Sequence, residues 1–202
     1  MFLIEEKILQ FTKSIASEIM NDKYKNANYD QYFSQELQQF YKNKVDELPL
    51  DFEIKRQKGE NDQYICELIR QDLIKEFISY INKNQISVNM KIGSSIYETN
   101  LFLIENQNPS LIEYAAFFGS IQVFNYLNIN KADLTLSLWL YAIHGKNPEL
   151  IHIIEDNHIK PDISYQKIYE EAIKSHYNEL VNYIQDNYLE KKSNDYSYLN
   201  IK

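Results

Sequence analysis

The sequence predicts an all-α protein, an α-solenoid of stacked antiparallel helical pairs preceded by N-terminal capping helices. Three observations carry this. The stretch LIEYAAFFGSIQVFNYL (111–127) recurs as WLYAIHGKNPELIHIIE (139–155) and as YEEAIKSHYNELVNYIQ (169–185), each reading as a helix, a short break and a second helix. Aligned on Ala115, Ala142 and Ala172 the copies lie 27 and 30 residues apart, a period that marks stacked repeats. The chain also holds only four glycines and four prolines in 202 residues, too few for a protein of many hairpin turns.

Taken in order, residues 2–20 place Leu3, Ile4, Ile8, Phe11, Ile15 and Ile19 at helical spacing. A second helix is expected from about Tyr29 to Val45, with Tyr32, Phe33, Leu37, Phe40 and Tyr41 on one side and Pro49 beyond its end. LPLDFEI (48–54) reads as extended. KRQKGEND (55–62) reads as a solvated turn, its basic cluster flanked by acids. From Gln63 to Ile81 two short helices form a divergent first repeat, followed by a polar loop over 82–94. Ser95 and Glu98 have the spacing of a capping box and predict a short helix over 96–105 that interrupts the repeat rhythm. Ser110 and Glu113 form a second such box. Ser137 is expected to cap the next first helix, and Asp162 or Ser164 the last. The organisation is therefore a capping region over 1–62, helical repeats over 63–188 and a flexible tail over 189–202.

The repeats have a physical reason to stack. In the clearest copy Ile112, Ala115, Ala116 and Gly119 follow helical spacing and make one face both apolar and small, which admits a neighbouring helix closely. Val123, Phe124 and Leu127 supply bulk from the second helix, and Leu150, Ile151, Ile154 and Leu180, Val181, Ile184 are their equivalents. One pair cannot cover both of its apolar sides, so neighbours must.

Composition sets the function classes. A net charge of −8 opposes nonspecific nucleic-acid binding, which depends on cationic neutralisation of phosphates. Cys66 is the only cysteine, so no intrachain disulfide forms and a reducing, cytoplasmic setting is expected. The N-terminus lacks a basic stretch before a long apolar core, and 111–127 falls short of the roughly 20 apolar residues of a bilayer span. No secretion or membrane insertion is expected.

The string S-x-I-x-x-A-A-x-x-G-S-x-x-V-F-x-x-L, from Ser110 to Leu127, resembles the ankyrin repeat: a capped start, a small-residue pair, a helix-ending glycine and a paired aliphatic second helix. The wider stretch from about Tyr64 to Gln185 is similar to an ankyrin-like subfamily of unassigned function expanded in parasitic protists, on YICELIR, LIEYAAFFGSIQVF and SLWLYAIHGKNPELIHIIE. The resemblance implies a non-enzymatic protein-binding scaffold. Its threonine-proline pair is missing and INKADLT and DNHIKPDIS stand where long fingers would project, so contacts at finger tips do not transfer. The inner side of the first helices does map, giving Phe117, Phe118, His144 and Lys174 as candidate partner-binding residues, and Tyr141 is added to them as a further side chain proposed for that inner face.

Other chemistry finds no pattern. The four histidines, His144, His152, His158 and His176, include no i, i+4 pair and no HExxH. Gly145-Lys146 lacks the rest of a phosphate-binding loop, and neither GxSxG nor GxGxxG is present. Cys66 lies on an apolar helix face and reads as an inert buried thiol. Acidic pairs such as Glu170-Glu171 read as solvated faces, and Trp139 as a residue buried between repeats. No catalytic residue, metal or cofactor is expected. Residues 2–20 leave a second possibility open, a structural protein that self-associates through its N-terminal helices, so that the chain is a monomer or a weak homo-oligomer bound to an unidentified protein.

Overall fold

A computed structural model describes residues 12–20, 29–40, 49–106, 108–161 and 163–189. The described residues are mostly helical, and contacts divide the chain into two units, residues 1–64 with 93–108 and residues 65–92 with 109–202. Among the described residues no helix is long and apolar enough to cross a membrane.

The first unit contains α1 (Lys13–Met20), α2 (Tyr29–Tyr32), α3 (Ser34–Gln38), α4 (Phe52–Lys58) and α7 (Leu101–Glu105). Ala16, Tyr32, Phe33 and Leu37 form a buried cluster in it, with Ile19 and Phe40 packed against them. The expected single helix over 29–45 is broken at Phe33, whose ring meets that of Tyr32 edge-on at 5.0 Å. Leu3, Ile4, Ile8, Phe11, Tyr41 and Val45 lie outside the described residues.

Residues 52–58 correct the sequence reading. They are helix α4, not an extended segment and a turn, and Gly59 closes the helix in the left-handed conformation (φ 65°). Phe52 and Arg56, one turn apart, both face inward. Arg56, expected in solvent, is 6% exposed and binds Glu36 through both guanidinium nitrogens, at 3.1 and 2.5 Å. Its guanidinium carbon lies 4.9 Å from the Tyr32 ring and 5.4 Å from the Phe33 ring. A planar cation that both forks to a carboxylate and stacks on aromatic faces is the one basic side chain suited to such a site. The sequence shows a run of basic residues but not that one of them meets a carboxylate 20 residues earlier.

The short helix before the clearest repeat is also corrected. It begins at Leu101, and Asn100 caps it by accepting from the Phe102 and Leu103 amides. Ser95 does not open it: its hydroxyl accepts from Tyr97 N (3.2 Å) and donates to Asp62 (2.9 Å), and Glu98 accepts from the amides of Asn61 and Asn100. Thr99 and Asn61 complete the stitching of 93–100 to the loop after α4: the Thr99 hydroxyl donates to Gly59 O (2.8 Å) and the Asn61 amide to Gly93 O (3.0 Å).

The second unit contains α5 (Tyr64–Arg70, of which Tyr64 is assigned to the first unit), α6 (Ile74–Lys83), α8 (Leu111–Phe118), α9 (Ile121–Ile129), α10 (Leu138–Gly145), α11 (Pro148–Asp156), α12 (Tyr165–Lys174) and α13 (Asn178–Ile184), which runs on into a π-helical turn at Gln185–Leu189. α8 packs on α9 and α10, α10 on α11 and α12, α12 on α13, and α9 on α6. Ile112, Ala115, Ala116, Val123, Phe124, Leu127, Ala142, Leu150, Ile154, Ala172 and Ile184 are all buried here, as their spacing predicts, and Cys66 is buried too. Trp139 is buried and its indole N–H donates to Ile159 O (2.7 Å).

Six of these helices end in the same way. After α5, α6, α8, α9, α11 and α12 a left-handed residue follows: Asp72, Gln85, Gly119, Lys131, His158 and His176. At each, one amide reaches back three residues and the next reaches back five, as in Gly119 N to Ala116 O and Ser120 N to Ala115 O, or His158 N to Glu155 O and Ile159 N to Ile154 O. This is the Schellman closure, which satisfies the terminal carbonyls. After α10, Lys146 is left-handed as well. The turns inside successive pairs fall at 72, 119, 146 and 176. The long first gap is explained by residues 93–108, which leave and rejoin this unit between Ile92 and Pro109, where Ile92 N donates to Pro109 O (2.8 Å) and Leu111 N to Met90 O (3.2 Å).

Only glycine adopts this backbone without steric cost, yet five of the six closures use another residue. Lys131 and His158 are exposed. Lys131→Gly and His158→Gly are each expected to raise the unfolding free energy by about 0.5–1 kcal/mol, the relief of left-handed strain less the extra freedom of glycine in the unfolded chain. Urea denaturation checks this, and a lower midpoint would show that the native side chain is held by a contact.

Candidate interaction surface

The first helices bring three of the five candidate residues into one row. Phe117 on α8 stacks on His144 on α10, with centroids 5.1 Å apart and planes at 28°. His144 Nε2 lies 3.5 Å from Glu171 Oε1 on α12, and Glu171 Oε2 lies 3.1 Å from Lys174 Nζ. Burial lowers the His144 pKa; Glu171 pulls it up and Lys146 adds to the lowering, leaving it below the ordinary histidine value. Phe118 is half-buried, against Tyr114 at 4.8 Å and Phe117 at 4.9 Å. Phe117 and Tyr141 are buried. The inner face proposed from sequence therefore presents Phe118, His144 and Lys174, while Phe117 and Tyr141 are packing residues. Two adjacent aromatics at a helix end project in different directions, which is why only one of the pair reaches the core.

One turn before Phe117, α8 carries a carboxylate whose second role the sequence does not reveal. Glu113 and Ser110 form the expected capping box, with Ser110 N–H donating to Glu113 Oε2 at 2.8 Å. The other oxygen, Oε1, accepts from the hydroxyls of Thr135 (2.6 Å) and Ser137 (2.7 Å). Ser137 does not cap α10: its backbone is right-handed helical (φ −69°, ψ −15°) rather than extended. Burial pushes the Glu113 carboxyl up, but the donors from Thr135, Ser110 and Ser137 outweigh it and hold the group below its ordinary range. The Tyr141 hydroxyl is raised by burial and then by the Glu113 charge. Ser164 caps α12 by accepting from Lys167 N (3.3 Å), while Asp162 lies outside the described residues.

Neighbouring pairs also cap one another. Asp72 accepts from Gln122 N (3.1 Å) and Val123 N (2.9 Å), so the turn of the first pair caps α9 in the second. Ser120, next to α9, donates instead to Ile69 O at the end of α5 (2.6 Å). Only the sequence pattern Asp72…Ser120, both beside a helix break, could have signalled this.

The second helices carry a different surface. Between α11 and α13 lies an open cleft of about 160 Å³, lined by Pro148, Ile151 and His152 on one side and Tyr177, Glu179, Leu180 and Tyr183 on the other. The Tyr183 hydroxyl donates to Glu155 (2.9 Å to either oxygen), as does that of Tyr188 (2.5 Å), whose ring stacks on Tyr165 at 4.0 Å. Burial and then the Glu155 carboxylate raise the pKa of Tyr183 and of Tyr188. Separations of 28 and 33 residues leave this cluster without a local sequence signal. Among the described residues no group of three or more His, Cys, Asp or Glu side chains is placed to hold a metal ion.

No family model, curated protein or solved structure matches this chain.

Proposed function

We propose that the chain is a non-enzymatic protein-interaction scaffold, built as an ankyrin-like stack of helical pairs. The observation that carries this is the left-handed turn that recurs inside each successive pair, at 72, 119, 146 and 176, with α8, α10 and α12 packed in succession. Pairs repeated in this way bury one another through their apolar sides and leave long surfaces open along the first and the second helices. Side chains on those surfaces then select the partner, in a reducing cytoplasmic setting in keeping with the single buried thiol.

Photo-crosslinking tests the reading. Benzoylphenylalanine replaces Phe118, on the first-helix surface, or His152, on the second-helix surface, in the full chain expressed in its native cells. Discrete adducts with another protein are expected from at least one position. If neither position yields an adduct above that of a buried control at Trp139, the scaffold reading fails.

A further inference from the structure

The cleft between α11 and α13 is a built feature. Its floor is apolar and nearly closed to water: Ile151 and Leu180 are each 3% exposed and Tyr177 6%. Its wall is held in place, because Tyr183 is anchored on Glu155, which Tyr188 also binds. At about 160 Å³ it has room for one large apolar side chain; an apolar protein cavity of about 150 Å³ takes up benzene.

The charge on the elements that line it is one-sided, with Lys146 and Lys174 standing just outside them. α11 carries Glu149, Glu155 and Asp156; α13 and the π-helical turn carry Glu179 and Asp186; neither helix nor the turn contains a lysine or arginine. Glu179 lines the cleft, Glu155 lies 3.9 Å from His152 on its rim, and Glu149 is one turn before His152 on the same side of α11. An apolar slot inside a negative field favours a cationic partner with an apolar anchor and opposes polyanions.

We propose that this cleft binds a basic amphipathic segment of a protein partner. One leucine-sized or aromatic side chain seats between Ile151 and Leu180, and lysines or arginines beside it face Glu149 and Glu179. This is the mode in which an amphipathic helix lays its apolar face into a groove. The proposal rests on the scaffold reading and adds the partner's chemistry and the surface it occupies.

The test uses the full chain and two short synthetic amphipathic helices, one of leucine and lysine, one of leucine and glutamate. The leucine-lysine peptide is expected to bind in calorimetry, to weaken with added salt, and to shift the methyl resonances of Ile151 and Leu180. The double variant Glu149→Lys, Glu179→Lys, altered only at exposed positions, is expected to lose about tenfold in affinity for that peptide and to gain affinity for the leucine-glutamate one. Equal binding of both peptides, affinity unchanged in the double variant, or methyl shifts confined to other residues overturns the proposal. So does displacement of the peptide by a synthetic copy of residues 190–202, which would assign the cleft to the chain's own tail. Adducts from benzoylphenylalanine at position 118 with no peptide binding here would refute the cleft alone; no adducts from either position would refute the scaffold.

Discussion

Gly145→Ala is expected to destabilise the second unit by about 3 kcal/mol, the upper end of overpacking effects, and to lower the melting temperature by roughly 6–12 °C for a chain of this size. Gly145 ends α10 where it crosses α8. A methyl group built on it would overlap the Ala116 carbonyl oxygen and lie 2.9 Å from Gly119 N. Both neighbours are backbone, so no side-chain rotation relieves the contact. Gly119 faces the same crossing from the other side, with a methyl there 2.6 Å from Gly145 O. The opposing effect is small: alanine is the better helix former by about 1 kcal/mol at most. Gly93→Ala is the control, because the nearest atom to its added methyl is the flexible Gln63 amide at 3.6 Å. Differential scanning calorimetry on the three proteins decides the matter. A Gly145→Ala midpoint equal to that of the parent would show that α8 and α10 are not held this closely.

Glu113→Leu is expected to cost about 3 kcal/mol. Glu113 is 8% exposed and its carboxylate accepts from four donors: the Ser110 amide and the hydroxyls of Ser110, Thr135 and Ser137. Leucine leaves the Ser110 amide, whose bond to Glu113 is the reciprocal half of the capping box, without its partner at about 1–3 kcal/mol, while the Ser110 hydroxyl still accepts from the amide at 113. The hydroxyls of Thr135 and Ser137 are half-buried and recover part of their loss by bonding water.

The pH dependence gives an independent check. The folded pKa of Glu113 is depressed, by its hydrogen bonds against burial. The unfolded state therefore binds the proton more readily, and the stability this group contributes is complete above the ordinary glutamate value of 4.5. It is lost as the pH falls from there through the folded pKa. The gap in stability between parent and variant, measured by urea denaturation, should accordingly be full at neutral pH and narrow below 4.5. A gap that stays constant into acid would show that the carboxylate is not held ionised by these donors.

Much of the second unit is legible in the order of its residues. The helix pairs over 64–83, 111–129, 138–156 and 165–184 lie where the apolar periodicity places them, because each helix buries one stripe and the stripe is written at 3.6-residue intervals. The Ser110–Glu113 box and the closing Gly119 follow from rules that span only three or four residues. The first unit is less legible for the same reason in reverse. By sequence Arg56 is one cation among several, and only its approach to Glu36, Tyr32 and Phe33 makes it a buried residue. Ser95 has the right spacing for a cap and Ser137 the right place, yet the Ser95 oxygen accepts from Tyr97 N, ahead of a helix that Asn100 caps, and Ser137 sits in a right-handed helical conformation rather than the extended one of a cap. A capping rule registers a possible acceptor but not the backbone conformation or the partners that the rest of the chain imposes on it.

The candidate surface divides along the same line. The order of residues suffices for the all-α class, the repeat period, the small residues along the first helices and the net negative charge, since each depends on local spacing or on simple sums. It names Phe117 and Tyr141 as surface anchors, and burial against neighbouring helices takes them out of that role. The cleft between α11 and α13, the anchoring of Tyr183 by Glu155 and the placing of Glu179 across from His152 exist only once distant helices are brought together. Burial and electrostatic field are properties of what surrounds a side chain, and for residues 28 or 33 positions apart that surrounding is set by the packing of the fold.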